Sequence, residues 1–327
     1  MIGSARATLP ICLALQGGGS HSAFSWGVLD QLLLDGRARI EAISASSGGA
    51  MLACVMAQGM MENGAEGARD SLLQFWKKVA LATQMMPLRL QVVDQLLGHV
   101  GVDFSPSSMA LDYLSRVFSP YQFNLFDVNP LRGIVEELVD FEALRKHSPL
   151  ALYINATHAK TGQSRIFTEK DLSLDAVMAS ACLPFLFKAV EVEGEPYWDG
   201  SFSGSPPLAP LVNGAHAREI VLVQTHSQAT DDVPTTAADI LDRAIEMSFS
   251  AVLQQELKAI ELYNQLVGSR GGQLPVHVHR IEAQEVMSGL GRASKLKADW
   301  DFIVYLHDVG VQAATDWLER PKVAEVA

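Results

Sequence analysis

Hydrophobic positions along the chain fall into two rhythms. Short, nearly continuous apolar runs at "ICLAL" (11–15), "RIEAIS" (39–44), "EIVLVQT" (219–225) and "LPVHVHRIE" (274–282) predict buried strands. "LALYINATHA" (150–159) and "SRIFT" (164–168) flank the turn-like "KTGQ", and "KAVEVEG" and "EPYWDG" flank Gly194, so each pair predicts a hairpin. Between the strands the spacing becomes helical. Phe24, Val28, Leu29, Leu32 and Leu33 share one face of a helix over 22–36 that closes on Gly36. Further helices are predicted from Gly48 to Met60, over 172–184 with a stop at Pro184, and over 238–267. A last one over 297–320 carries an apolar stripe of Trp300, Ile303, Val304, His307 and Val311. Strand–helix–strand–helix at this density predicts βαβ units and an α/β fold with a mostly parallel central sheet and helices on both faces. Residues 67–148 read as a mainly helical insertion, including the amphipathic "ARDSLLQFWKKVALAT" and a Ser-started helix in "FSPSSMALDYLSRVF".

In an open parallel sheet, ligands bind beyond the carboxyl ends of the strands. The first two strand ends carry "QGGGSHS" (16–22) and "SASSGGA" (44–50). A dinucleotide site would need a carboxylate at the end of the second strand, and that end is Ser44-Ala45-Ser46. No Lys-Ser/Thr pair follows the glycines, so a P-loop is unsupported as well. A glycine-rich loop opening a helix has another use. Its unencumbered N–H groups and the helix N-terminus stabilise developing negative charge, as in an oxyanion hole.

Such a hole needs a nucleophile. In a nucleophile elbow, a serine sits on a strained strand-to-helix turn, and the residues two before and two after it must be small. Ser47, flanked by Ala45 and Gly49, fits this pattern more closely than Ser46, flanked by Ser44 and Gly48. The alternative use of the same residues is a helix cap.

Composition narrows the classes. With 25 Lys+Arg against 37 Asp+Glu, the net charge of −12 argues against nucleic-acid binding. Cys12, Cys54 and Cys182 are scattered and sit in apolar surroundings, which predicts buried reduced thiols rather than disulfides or a metal site. No run reaches the ~18 apolar residues of a membrane span. Arg6 with the following apolar run faintly resembles a signal peptide, but "ICLAL" stops at glycines after five residues and suits a first strand better. A soluble, cytoplasmic protein is expected. Met51 and Met56 are expected in the core, and Met85-Met86-Pro87 at a mobile apolar rim. His277 and His279 share a strand face, but without a third ligand they predict packing or surface rather than metal binding.

Four segments, in order, resemble the patatin-like phospholipases. "LALQGGGSHSAFSWGVLDQLL" resembles the family's glycine-rich segment, "ISASSGGAMLA" its nucleophile elbow, and "INATHAKTGQSRIFT" its strand pair around Thr-Gly. "AVMASACLPFLFKAVEVEGEPYWDGS" resembles the Ala-Ser-x-x-x-Pro segment leading to its Asp-Gly-Gly/Ala motif. The resemblance implies a three-layer fold with the catalytic domain in 1–225 and a C-terminal helical extension, 226–327, packed on it. It also implies a Ser-Asp dyad, with Ser47 as nucleophile and Asp199 as general base, and an oxyanion hole from Gly17, Gly18 and Gly19. No metal or cofactor is required. The resemblance further implies a lipid or other acyl ester as substrate, with transient membrane-surface contact as an expectation.

The chain departs from the family pattern at Ser22, Ala45 and Ser201, where glycine or, for the last, glycine or alanine is usual. His21 stands where the family often has Lys or Arg. Where φ > 0 is required, Ser22 and Ala45 would be strained. Two alternatives follow: a weakly active or inactive lipid- or acyl-binding protein, and a Ser-His-Asp esterase using His226 or His158, each placed after a strand.

Overall fold

The structure is a computed structural model that describes residues 8–85, 119–124, 127–215, 217–226, 233–270, 274–290 and 292–320. The predicted helix in 104–118 and the Met86-Pro87 part of the apolar rim lie outside the described residues. Eight strands form one sheet: β1 (Leu9–Leu15), β2 (Ala38–Ser46), β3 (Ala151–His158), β4 (Ser164–Phe167), β5 (Val190–Val192), β6 (Glu195–Asp199), β7 (Glu219–Gln224) and β8 (His277–Glu282). Their order is β5-β6-β3-β2-β1-β7-β8, with β4 also paired to β3. The five strands from β3 to β8 run parallel to their neighbours, while β4, β5 and β6 are antiparallel additions.

β1 alternates its side chains between two apolar layers, which explains its unbroken apolar run. Ile11, Leu13 and Leu15 face one core with Phe24, Val28, Met51 and Met56. Cys12 and Ala14 face a second core with Leu208, Leu253, Leu257 and Ile260. The first layer is built by α1 (Ser22–Asp35), α2 (Gly48–Met85) and α7 (Trp300–Leu318). α3 (Pro130–Leu138), α4 (Phe141–His147) and α5 (Leu174–Ser180) pack on the same side. The second layer rests on α6 (Ala237–Arg270). The three cysteines are buried and free, as expected. Among the described residues no helix is long and apolar enough to cross a membrane.

Three local outcomes differ from the sequence expectation. α2 continues past Met60 but breaks at Asn63 (φ −148°) and Gly64 (φ 59°), then returns through the amphipathic 68–83 segment. The two limbs touch where Gly59 and Gly67 leave no room for a Cβ on either side. α5 ends at Ser180, four residues before Pro184, and the chain beyond it places the Cys182 carbonyl to accept from the Asp199 N–H at 2.8 Å. The stripe of α7 is rotated: Ile303, Leu306, Gly310, Ala314 and Trp317 are buried, while Val304, His307 and Val311 lie at its border. The reason is a close helix crossing. A Cβ on Gly27 would overlap the His307 carbonyl, and one on Gly310 the Phe24 carbonyl, so the backbones of α1 and α7 meet directly.

Candidate active site

β2 ends at Ser46, paired with Asn155, and the chain turns at Ser47 into α2. Ser47 has φ 56°, a left-handed conformation that a non-glycine residue holds only at a cost of roughly 1–2 kcal/mol. Tertiary contacts hold it there. Its N–H donates to the buried Ser180 hydroxyl at 3.0 Å, and its carbonyl accepts from Ala50 N–H at 2.9 Å to start the helix. Gly49 is constrained too, since a Cβ there would stand 2.6 Å from the Leu15 carbonyl oxygen. Gly48 likewise faces the Ser22 hydroxyl with no space between.

The glycine loop lies alongside. A Cβ on Gly17 would overlap the Ser47 Cβ and stand 3.0 Å from its Oγ, so only glycine allows this approach. Gly19 has φ 57° and abuts the Lys295 carbonyl oxygen. Gly18 packs against Thr225, whose hydroxyl donates to the Gly17 carbonyl. Among the described residues, neither the Gly17 nor the Gly18 N–H donates a hydrogen bond.

Asp199 reaches the same point by a long-range route. Ala156 of β3 pairs with Arg165 of β4 on one edge and Asp199 of β6 on the other, while Asn155 pairs with Ile166 and Ser46. β6 therefore takes over the edge of β3 that β2 vacates, and its last residue comes up beside the Ser47 turn. The Asp199 carbonyl accepts from the Thr157 hydroxyl at 2.8 Å, and Gly200 sits so tightly on Asn155 that a Cβ would overlap its carbonyl.

The carboxylate is 1% exposed. Burial pushes its pKa up to about 6, against the hydroxyl of Ser47 and the N–H and hydroxyl of Ser201, which favour the charged form. Oδ1 accepts from Ser201 N–H at 2.8 Å. Oδ2 is buried without a completed hydrogen bond, so the Ser47 hydroxyl is near enough to influence the carboxylate while its hydrogen bond is not closed.

The departures noted in the sequence fall at undemanding backbone positions. Ser22 has φ −64°, and neither Ala45 nor Ser201 is among the positive-φ residues. Ser201 even supplies a donor to Asp199.

His158 bonds Glu195 at 3.1 Å, and His226 bonds the Thr225 hydroxyl at 3.2 Å; neither bonds Ser47 or Asp199. His226 is held well below the usual imidazole range by desolvation and nearby Lys295. Burial also raises the thiols, to about 11 for Cys12 and about 12 for Cys54 and Cys182, so no thiolate competes as a nucleophile at neutral pH. His277 is exposed and His279 pairs with Glu219 at 2.5 Å; the described residues contain no metal-binding group of three. Sequence reasoning missed Ser180 and Thr225 as supports. Ser180 lay in plain view in "MASACLP", but its contact with Ser47 spans 133 residues.

Residues 13–212 match the family model described as patatin-like phospholipase. The chain belongs to the patatin-like phospholipase family. Ser47, Asp199 and the glycine loop all lie within the matched region. Among solved structures, the chain is similar to VipD from Legionella pneumophila, with 15% identity, TM-score 0.38, and coverage of 93% of this chain and 67% of that one. It is also similar to the type III effector ExoU, with 16% identity, TM-score 0.36 and coverage of 95% and 53%. The heterodimeric ExoU–SpcU complex of Pseudomonas aeruginosa gives 13% identity, TM-score 0.34 and coverage of 97% and 52%. The chain thus spans about half the length of ExoU. No curated protein matches it by sequence.

Proposed function

We propose that this patatin-like protein is a serine acyl hydrolase of the phospholipase A or lipid esterase type, working through a Ser47–Asp199 dyad. The observation that carries the reading is the convergence at one turn of a left-handed Ser47, a buried carboxyl with a raised pKa, and a glycine that touches the serine. Ser47 Oγ attacks the ester carbonyl as its proton passes to Asp199. The tetrahedral oxyanion receives hydrogen bonds from N–H groups of the Gly17–Gly19 loop. Collapse breaks the ester bond, and the alcohol or lysolipid leaves with the proton from Asp199. Water then gives a proton to Asp199 and attacks the acyl-serine, releasing the fatty acid and regenerating Ser47. Metal and cofactor have no part in this scheme.

Two features support a dyad over a triad: among the described residues no histidine bonds Ser47 or Asp199, and His226 is held well below the usual imidazole range, which makes it a weak base. The ordinary backbone of Ser22, Ala45 and Ser201 removes the main ground for an inactive protein. The substrate is a lipid or other acyl ester reached by transient contact with a membrane surface. The buried thiols suit a cytoplasmic location, which is part of the same proposal.

Labelling with a fluorophosphonate tests the reading directly. Ser47 is expected to carry the adduct, and Ser47→Ala to lose both label and ester hydrolysis, by at least about 10³-fold in kcat. Asp199→Asn is expected to be folded and inactive. Full activity in either variant would refute the dyad.

A further inference from the structure

The matched family region ends at residue 212, yet the glycine loop is gripped by residues about eighty positions further on. A short 3-10 turn, Arg292–Leu296, packs against it at two points. The Lys295 carbonyl oxygen lies so close to Gly19 that a Cβ would overlap it, and Gly19 is already left-handed. One residue earlier, the Ser294 hydroxyl bonds His21 Nε2 at 2.8 Å. His21 in turn holds Gly18: its N–H donates to the Gly18 carbonyl at 3.1 Å, and its Cβ would be 3.2 Å from a Cβ at Gly18. The contact is dry, with Ser294 7% and His21 2% exposed. The clamp is itself anchored, because Lys295 Nζ pairs with Glu246 of α6 at 2.6 Å. Burial, with Lys295 nearby, lowers the His21 pKa to about 4, so the ring is neutral and serves as a fixed hydrogen-bonding strut.

We infer that Ser294 and Lys295 are positioning residues that hold the glycine-rich loop in the shape its N–H groups need to receive the oxyanion. The inference rests on the serine-hydrolase reading above. Glycines have the largest backbone freedom of any residue, so a loop of three consecutive glycines needs external restraint to present donors in one geometry. Neither Ser294 nor Lys295 is assigned contact with the ester. They act through Gly18, Gly19 and His21, which explains why a segment outside the matched region closes on the loop.

The test compares full-length wild type, Ser294→Ala and Ser294→Thr for p-nitrophenyl butyrate hydrolysis, the rate of fluorophosphonate labelling at Ser47, and Tm. A misplaced donor acts on the transition state, so Ser294→Ala is expected to lower kcat and labelling rate by roughly 10- to 100-fold with KM within about twofold. Tm is expected to move by less than about 4 °C. Ser294→Thr, which keeps the hydroxyl, is expected to recover most of the rate. Wild-type kcat and labelling in Ser294→Ala, a loss matched by a fall in Tm, or no recovery in Ser294→Thr would overturn the inference while leaving the dyad intact. Absence of labelling in the wild type itself would instead sink the hydrolase reading, and this inference with it.

Discussion

In the proposed dyad, Asp199 has opposite effects on chemistry and on stability. As a base it must be ionised, so kcat/KM is expected to rise with pH through a single step near pH 6 and to flatten above it. A pH–rate profile on a soluble ester checks this; a rate independent of pH between 5 and 7 would exclude Asp199 as the base. For stability the sign reverses. The folded-state pKa lies above the ordinary carboxyl value, so the folded protein binds the proton more tightly than the unfolded chain. Its contribution is fully present below about pH 4 and is lost as pH rises to about 6 and beyond, leaving the ionised group a burden of roughly 3 kcal/mol at neutral pH. Asp199→Asn should therefore raise Tm at pH 7 while removing turnover, and a lowered Tm would contradict it. The same scale decides the departures from the family pattern. Ala45 sits in β2 with ordinary φ, so Ala45→Gly is expected to leave kcat within about threefold and to lose roughly 1 kcal/mol in urea unfolding, because glycine weakens a strand interior.

Among the elements, the crossing of α1 and α7 is the most demanding contact. Gly27 and Gly310 each face a backbone carbonyl of the other helix, and no side-chain rotation relieves a methyl group there. Gly310→Ala is expected to destabilise the protein by about 1–3 kcal/mol or more, read from a guanidinium melt. An unchanged midpoint would mean that the helices separate without cost. This crossing also explains the rotated stripe of α7. Periodicity identified an amphipathic helix correctly, but which arc is buried was set by the partner helix, where the closest approach favours Gly310 and Ala314 over the bulkier Val304 and Val311. α5 stops early for a similar reason: the backbone at Cys182 serves Asp199 rather than another helical turn.

For the whole molecule, the chain after residue 225 supplies parts that the rest lacks. β8 covers the edge of β7, α6 covers the second core, and α7 seals α1. We propose that 1–225 and 226–327 fold as a single unit. Truncation after residue 225 would open a parallel edge and two apolar faces, and the product is expected to aggregate rather than fold. A soluble, monomeric truncation with cooperative unfolding would show that the first part is autonomous.

Strands, helices and the two loops of interest were legible in the sequence because each depends on neighbours a few residues apart: period two or continuous apolar runs, period 3.6, and glycine at a cap such as Gly36. Small residues two before and two after Ser47 singled it out as the proposed nucleophile by the same local logic. Three things waited for the tertiary structure. β6 occupies the edge of β3 beyond the end of β2, which brings Asp199 to Ser47. Burial raises the Asp199 pKa, and Ser294–Lys295 close on the glycine loop from the far end of the chain. Each depends on contacts between segments distant in the chain, from 42 residues between Thr157 and Asp199 to 273 between His21 and Ser294, and periodicity within one segment carries no information about which distant segment will fill its edge.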